Sequence, residues 1–382
     1  MRVGIDARTV YAATRRGTGK NLIDLYSTLA TRHPSWEFVM FHQASADNDP
    51  FAQFANVRQR RIDIRGDRWN LWQDVRLPLA ARADKLDVLH CPANTAPRLS
   101  LTPTVLTVHD LIPQEMAPDA TSTHSWLRRV ARSAQAARRI VTPSQYSRRT
   151  ILRHLAVPAE KITVNHWAAD RRCHRIENPA TIASVREKYG LPASGPYVLA
   201  FGAADPRKNT ATLLQAWARL RLSRALHGAI LLVVGLQNEA LATFERMLKE
   251  ISIARGSCLL RGFADEQDIP ALLSGATALC YPSRSEGFGL PILDAFACGT
   301  PVITSCTTSL PEVAGGAAIL IDPHDPEAIR RAIVEVLTSE ECQQQLRTAG
   351  YKRLESFSWD RCAATAAGVL LAAARADERG RS

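Results

Sequence analysis

Short apolar runs recur along the chain between segments with helical periodicity. In the first half they are residues 2–6, Phe38–Phe41, Asp87–His90, Pro103–Val108 and Ile140–Thr142. In the second half they are Tyr197–Gly202, Ile230–Gly235, Cys258–Phe263, Ala276–Tyr281 and Ala318–Ile321. Such runs, bounded by turn residues, predict strands buried on both faces. Between them apolar residues recur three and four apart, as in Leu22, Ile23, Tyr26 and Leu29, which predicts a helix with one buried face. Further helices are expected near 181–189, from Thr210, near 239–253 and near 266–274. Strands alternating with helices predict parallel sheets with crossover helices, an α/β class. The pattern breaks at Asn165–Asp170, a charged stretch runs to Arg175, and then the pattern restarts. Two successive doubly wound domains are therefore expected, over 1–170 and 171–357. A last helix, 358–382, is apolar and long enough to pack across both.

One stretch, Ser283–Pro301, organises the second half. It follows a strand-like run, carries Gly287 and Gly289 in a loop, and continues into a helix opened by Pro291 and closed by Gly299. Unpaired amides and the helix dipole favour an anion at such a place. Glu286 and Asp294 flank it, and two carboxylates suit hydroxyls on either side of a phosphate. Sugar, phosphate, sugar is the layout of a nucleotide-sugar. Asp205-Pro206-Arg207-Lys208-Asn209 follows the first strand of the same domain, and adjacent Arg and Lys suit a diphosphate.

The first domain offers weaker signals. Gly17-Thr18-Gly19-Lys20 sits in a predicted loop between strand and helix, without the spacing of a Walker or dinucleotide motif. His109-Asp110 ends a predicted strand, where doubly wound sheets place ligands, although a structural pair would read the same way. Ser144 stands where a helix cap is expected before Tyr146.

Charge changes the picture of partners. The net charge is +11, and residues 1–170 hold 24 Lys and Arg against 15 Asp and Glu, whereas the remainder holds 24 against 22. Basic clusters occur at Arg58/Arg60/Arg61, Arg128/Arg129/Arg132, Arg138/Arg139 and Arg148/Arg149/Arg153. They fit either a solvated face or an anionic membrane surface. Without interleaved aromatics they do not suit nucleic acid. Eight scattered cysteines without a CxxC pair predict buried thiols in a reducing compartment and no metal site. With Met1–Asp6 reading as a strand and no apolar run of spanning length, a cytoplasmic chain is expected, peripheral on the inner membrane face if the basic domain docks there.

Glu286-Gly287-Phe288-Gly289-Leu290-Pro291 with Asp294 and Ala297-Cys298-Gly299-Thr300-Pro301 resembles the donor signature of glycosyltransferase family 4. The resemblance extends to Pro206–Asn209, Leu310–Val313, Gly4–Arg8 and Phe357–Trp359. It implies retaining enzymes of the GT-B fold: two Rossmann-like domains facing across a cleft, with the C-terminal helix crossing back to the first. By that resemblance Glu286 would contact the donor sugar, and Gly287, Phe288, Gly289 and Leu290 would meet sugar and phosphate. Asp294, where relatives usually carry glutamate, would bind ribose. Arg207 and Lys208 would neutralise the departing diphosphate, Gly17 and Gly19 would close over it, and the backbone near Arg261 would hold the base. His109 would contact the sugar, and Asp110 the acceptor. The implied donor is GDP-mannose, or second a UDP- or dTDP-sugar, without metal or other cofactor. The acceptor would be a glycan or lipid-linked oligosaccharide. Two rivals share the fold, a nucleotide-sugar epimerase and a non-catalytic binding subunit.

Overall fold

The computed structural model describes residues 1–12, 17–43, 49–64, 71–220, 228–251 and 256–375. The chain divides into two compact units, Met1–Trp167 with the C-terminal segment from Ser358, and Ala168–Phe357.

Among the described residues the first unit holds seven strands: β1 (Arg2–Asp6), β2 (Glu37–His42), β3 (Val57–Arg61), β4 (Val88–Cys91), β5 (Thr104–Thr107), β6 (Arg139–Thr142) and β7 (Ile162–Val164). All neighbours run parallel, in the order β3-β2-β1-β4-β5-β6-β7. Strands β4 and β5 are buried along their whole length, as sheets covered on both faces require. The helices used below are α1 (Gly17–Arg32), α2 (Leu77–Ala83, preceded by a π-helical turn Trp72–Arg76) and α3 (Thr121–Ala136). Trp72, Leu77, Leu89, Leu106, Val130 and Ile140 meet in one core cluster. The terminal helix Trp359–Arg375 packs on α1 and on β4, β5 and β6, within this unit.

Two expectations change here. Val57–Arg61 is a strand despite its sequence VRQRR, because it lies at the sheet edge where polar side chains are tolerated. Its arginines are already matched: Arg58 to Glu37 at 2.6 Å and Asp84 at 3.0 Å, Arg60 to Asp84, and Arg61 to Asp63 at 2.6 Å. That cluster is a set of ion pairs. Gly17 and Gly19, expected in a loop, instead form the first turn of α1. Gly19 lets the helix close onto the preceding loop, since a Cβ there would stand 2.2 Å from the Thr9 carbonyl oxygen.

The second unit holds β8 (Tyr197–Phe201), β9 (Ile230–Val234), β10 (Cys258–Leu260), β11 (Ala278–Tyr281), β12 (Val302–Ser305) and β13 (Ile319–Ile321). These are also parallel, in the order β10-β9-β8-β11-β12-β13. That is the doubly wound order, and it reverses between β8 and β11. Leu214, Leu231, Val233, Cys280, Ile303 and Ile333 form its core. Helix α4 (Leu290–Ala297) follows β11, with Gly289 at φ +115° before it and Gly299 at φ +68° after it. Glycine takes such angles without strain.

The two α1 glycines should separate in stability. Gly19→Ala is expected to cost about 1–3 kcal/mol by forcing helix and loop apart. Gly17→Ala, with nothing among the described residues within 4 Å of its Cβ position, should stay within about 0.5 kcal/mol of wild type. Urea unfolding measures both, and equal losses would contradict this packing.

Candidate functional site

Where strand order reverses, the chains leaving two adjacent strands turn to opposite faces of the sheet and leave a crevice at the carboxyl ends. In the second unit these chains are the loops after β8 and β11. The β8 loop carries Arg207 and Lys208, and the β11 loop carries Glu286.

Local chemistry sets the β8 loop. Asp205 accepts from the Arg207 amide at 3.0 Å and starts a 3-10 turn over Pro206–Lys208. Asn209 then takes a left-handed φ of +61°, and its Nδ2 donates to the carbonyls of Pro282 (3.0 Å) and Pro323 (2.6 Å). The Arg284 amide donates to the Arg207 carbonyl at 2.7 Å, so the two loops are stitched together. Both cationic side chains consequently reach one carboxylate. Glu286 Oε1 accepts from Lys208 Nζ at 2.7 Å and from the Tyr281 hydroxyl at 2.6 Å, and Oε2 accepts from Arg207 Nη1 at 3.2 Å. Lys208 also donates to the Tyr281 oxygen at 2.8 Å, and Arg207 Nε to Asp205 at 2.6 Å.

The Glu286 side chain is only 11% exposed, so the charges interact through little water. Burial opposes ionisation of Glu286, but Lys208 and Arg207 outweigh it and hold the carboxyl below its ordinary 4.5. Burial likewise opposes the charge on Lys208, yet Tyr281 and Glu286 hold the ammonium above its usual value. The Tyr281 phenol is pushed up to about 12, by burial first and Glu286 second. Near neutral pH the cluster therefore holds two cations, an ionised carboxylate and a neutral phenol. It can accept from hydroxyls through Glu286 and donate to phosphate oxygens through Lys208 and Arg207.

The glycine loop is fixed from below. Ser309 Oγ lies 2.8 Å from the carbonyl oxygens of both Glu286 and Phe288, and the Phe288 ring meets Phe357 edge-on at 5.9 Å. Gly287, Phe288, Gly289 and Leu290 thus lead from the carboxylate into the N-terminus of α4, whose first amides lack partners within the helix. Asp294 lies farther along α4, where Oδ1 accepts from the Asp170 amide at 2.9 Å and so anchors the segment that opens this unit. Arg261 stands apart, at the end of β10 and two strands from β8. Its guanidinium donates to the carbonyls of Tyr189 and Leu260, both at 2.9 Å, over Gly190.

In the first unit His109 follows β5, and its Nε2 lies 2.6 Å from the Pro92 carbonyl oxygen, so that nitrogen carries the proton. Nδ1 is buried without a hydrogen-bond partner among the described residues, and the ring meets Trp167 edge-on at 5.1 Å. Burial pushes its pKa down to about 4, leaving a neutral imidazole with an acceptor nitrogen at physiological pH. Asp110 Oδ1 accepts from the Ile112 amide at 3.2 Å, a local turn contact two residues on. Gly17 and Gly19 follow β1, and β4 separates that strand from β5. Ser144 caps the next helix by accepting from the Ser147 amide at 3.0 Å. Among the described residues no group of three His, Cys, Asp or Glu could hold a metal ion, and no helix is long and apolar enough to cross a membrane.

Sequence reasoning missed Tyr281, Asp205 and Ser309. Tyr281 read as the last apolar residue of a strand. Its signal was a phenol at a strand end, directly before the loop that carries Glu286.

Two family descriptions match this chain, Glycosyltransferase Family 4 over residues 16–171 and Glycosyl transferases group 1 over 182–353. The O-antigen chain mannosyltransferase B of Escherichia coli is 30% identical over 364 residues, covering 91% of this chain and 93% of that protein. The chain belongs to glycosyltransferase family 4. The MMP alpha-(1->4)-mannosyltransferase of Mycolicibacterium hassiacum is also 30% identical, over 76% of this chain and 72% of its own length. Serotype-specific mannosyltransferase WbdA of Escherichia coli is 28% identical over 67% of this chain, which spans about a third of that longer protein (32%). The fold is shared with WaaG, a glycosyltransferase involved in lipopolysaccharide biosynthesis, at TM-score 0.75 and 14% identity over 97% and 99% of the two chains. This family member therefore has the two Rossmann-like domains of a GT-B glycosyltransferase.

Ionised Glu286 makes stability depend on pH. Its folded-state pKa lies below the unfolded value, so its contribution is present above about pH 4.5 and is lost as pH falls through the folded value. The stability difference between wild type and Glu286→Gln, from urea midpoints, should be largest at neutral pH and shrink below about pH 4.5. A difference independent of pH would contradict the ion cluster.

Proposed function

We propose that this glycosyltransferase moves a mannosyl group from GDP-mannose, with retention of anomeric configuration, to a hydroxyl of a glycan or lipid-linked oligosaccharide in surface polysaccharide assembly. The observation that carries the reading is the convergence of Arg207, Lys208 and Tyr281 on Glu286 at the strand-order reversal. The mannosyltransferase names of the three relatives support the choice of sugar.

In this reading the diphosphate draws Lys208 and Arg207 toward its oxygens, and Glu286 is left to accept from hydroxyls of the sugar. His109 Nδ1, a buried acceptor without a donor among the described residues, takes a further sugar hydroxyl. Asp110 faces the acceptor, Asp294 the ribose, and the Arg261 backbone the base. Gly17 and Gly19 allow close approach of the phosphates. Retention through a protein nucleophile needs a carboxylate free to attack, as in retaining glycosidases. Glu286 is engaged by two cations and a phenol, which makes it a poor nucleophile. The acceptor oxygen instead bonds to the anomeric carbon from the face the diphosphate leaves. The bond to phosphate breaks, and the acceptor proton passes to the departing phosphate oxygen. Lys208 and Arg207 stabilise the charge that develops there.

The test is transfer from GDP-mannose to a water-soluble synthetic mannoside, with the product anomer read by NMR. Lys208→Ala is expected to lower kcat by on the order of 10²-fold or more. Activity within a few-fold of wild type in that variant, or faster turnover of a UDP-sugar, would overturn the reading.

A further inference from the structure

We propose that one face of the first unit is a docking surface for anionic lipid bilayers, in which an arginine-lined hollow takes headgroup phosphates while neighbouring leucines enter the acyl boundary. The hollow, about 580 Å³, lies between α3 and the segment after β4. Arg98, Arg128, Arg129 and Arg132 line it together with Ser125 and Trp126, and no acidic residue among the described residues does. Arg128 and Arg132, one turn apart on α3, are exposed and have no ion-pair partner among the described residues. Arg98 keeps one carboxylate, Asp74 at 3.3 Å, although its side chain is 68% exposed. Guanidiniums gathered in this way repel one another until an anion enters, and their planar forks match phosphate oxygens.

A second hollow of about 350 Å³ shares Ala96 and Arg98 with the first. Leu99 and Leu101 line it and stand 80% and 57% exposed. Val75 and Leu79, four residues apart, are exposed on the helical segment whose Asp74 holds Arg98. Single exposed leucines need no explanation. Here four apolar side chains are grouped on chain segments that meet at Arg98, beside the exposed Arg128 and Arg132. A free phosphate would leave the leucines without a role, whereas a bilayer uses both classes of side chain. The Arg58–Arg61 strand contributes little, because its guanidiniums are matched by Glu37, Asp84 and Asp63.

This inference rests on the reading of a lipid-linked acceptor only for its purpose, so the vesicle-binding assay contains no acceptor. The full chain is sedimented with phosphatidylcholine vesicles, with or without about 30% phosphatidylglycerol. Binding is expected only to the anionic vesicles, and it should weaken as salt rises. Arg98→Glu, Arg128→Glu and Arg132→Glu together should lower partitioning by on the order of 10²-fold or more, from roughly five-fold per cation lost with added repulsion from each carboxylate. Leu99→Ser with Leu101→Ser should also lower it while leaving the salt dependence in place. Arg149→Glu with Arg153→Glu, on the helix Gln145–His154, should change it less than about five-fold. Equal binding to both vesicles, binding to neither, or an equal effect of the two arginine sets would overturn the proposal. Transfer to the water-soluble acceptor, measured in parallel, should be unchanged by the triple reversal. Its absence in wild type would remove the transferase reading and leave the vesicle result standing.

Discussion

The candidate site depends on one carboxylate kept ionised where there is little water to solvate it. A lone buried charge of this kind is strongly unfavourable. Glu286 persists as an anion because Lys208, Arg207 and Tyr281 each direct a donor at it from within 3.2 Å. The dependence is mutual. Lys208 is itself mostly buried, and without Glu286 its charge would face the same penalty. Arg207 shares its charge with Asp205, so two carboxylates balance two cations in the free protein. A bound diphosphate would compete for cations already placed and oriented, with little reorganisation of the backbone. That preorganisation is where electrostatic catalysis draws its strength.

The fold supplies the geometry. Parallel strands bring every strand-to-helix loop of a unit to one edge of its sheet, and the reversal between β8 and β11 keeps two of those loops from being covered by a crossover helix. Asn209 then fixes their spacing by bonding across to Pro282 and Pro323. Its left-handed backbone and twin amide bonds explain an asparagine directly after the two cations.

Much of this was legible in the sequence because buried parallel strands are nearly pure apolar runs. Ile230–Val234 and Tyr197–Phe201 announce themselves that way, and Gly289 and Gly299 mark the ends of α4 by the angles they must take. Strands lacking that contrast were missed. Val57–Arg61 carries edge-strand arginines, Ile162–Val164 spans three residues, and Val302–Ser305 follows the Gly299–Pro301 turn and ends in polar residues. Site residues follow the same logic. Charged residues in loops that follow buried strands, such as Glu286 and Lys208, stand out without a structure. Tyr281 does not, because a strand-end tyrosine looks like core until its hydroxyl is seen between Lys208 and Glu286. Asp294 stands out by its spacing from Glu286, but that spacing does not reveal that its carboxylate also holds the Asp170 amide.

The most direct test of the central claim is a crystal structure of the protein with GDP-mannose. The account predicts the diphosphate at the carboxyl ends of β8 and β11, with Lys208 Nζ and Arg207 turned from Glu286 to its oxygens and the Glu286 carboxylate facing sugar hydroxyls. A nucleotide bound elsewhere, with the Lys208–Glu286 pair intact, would contradict it.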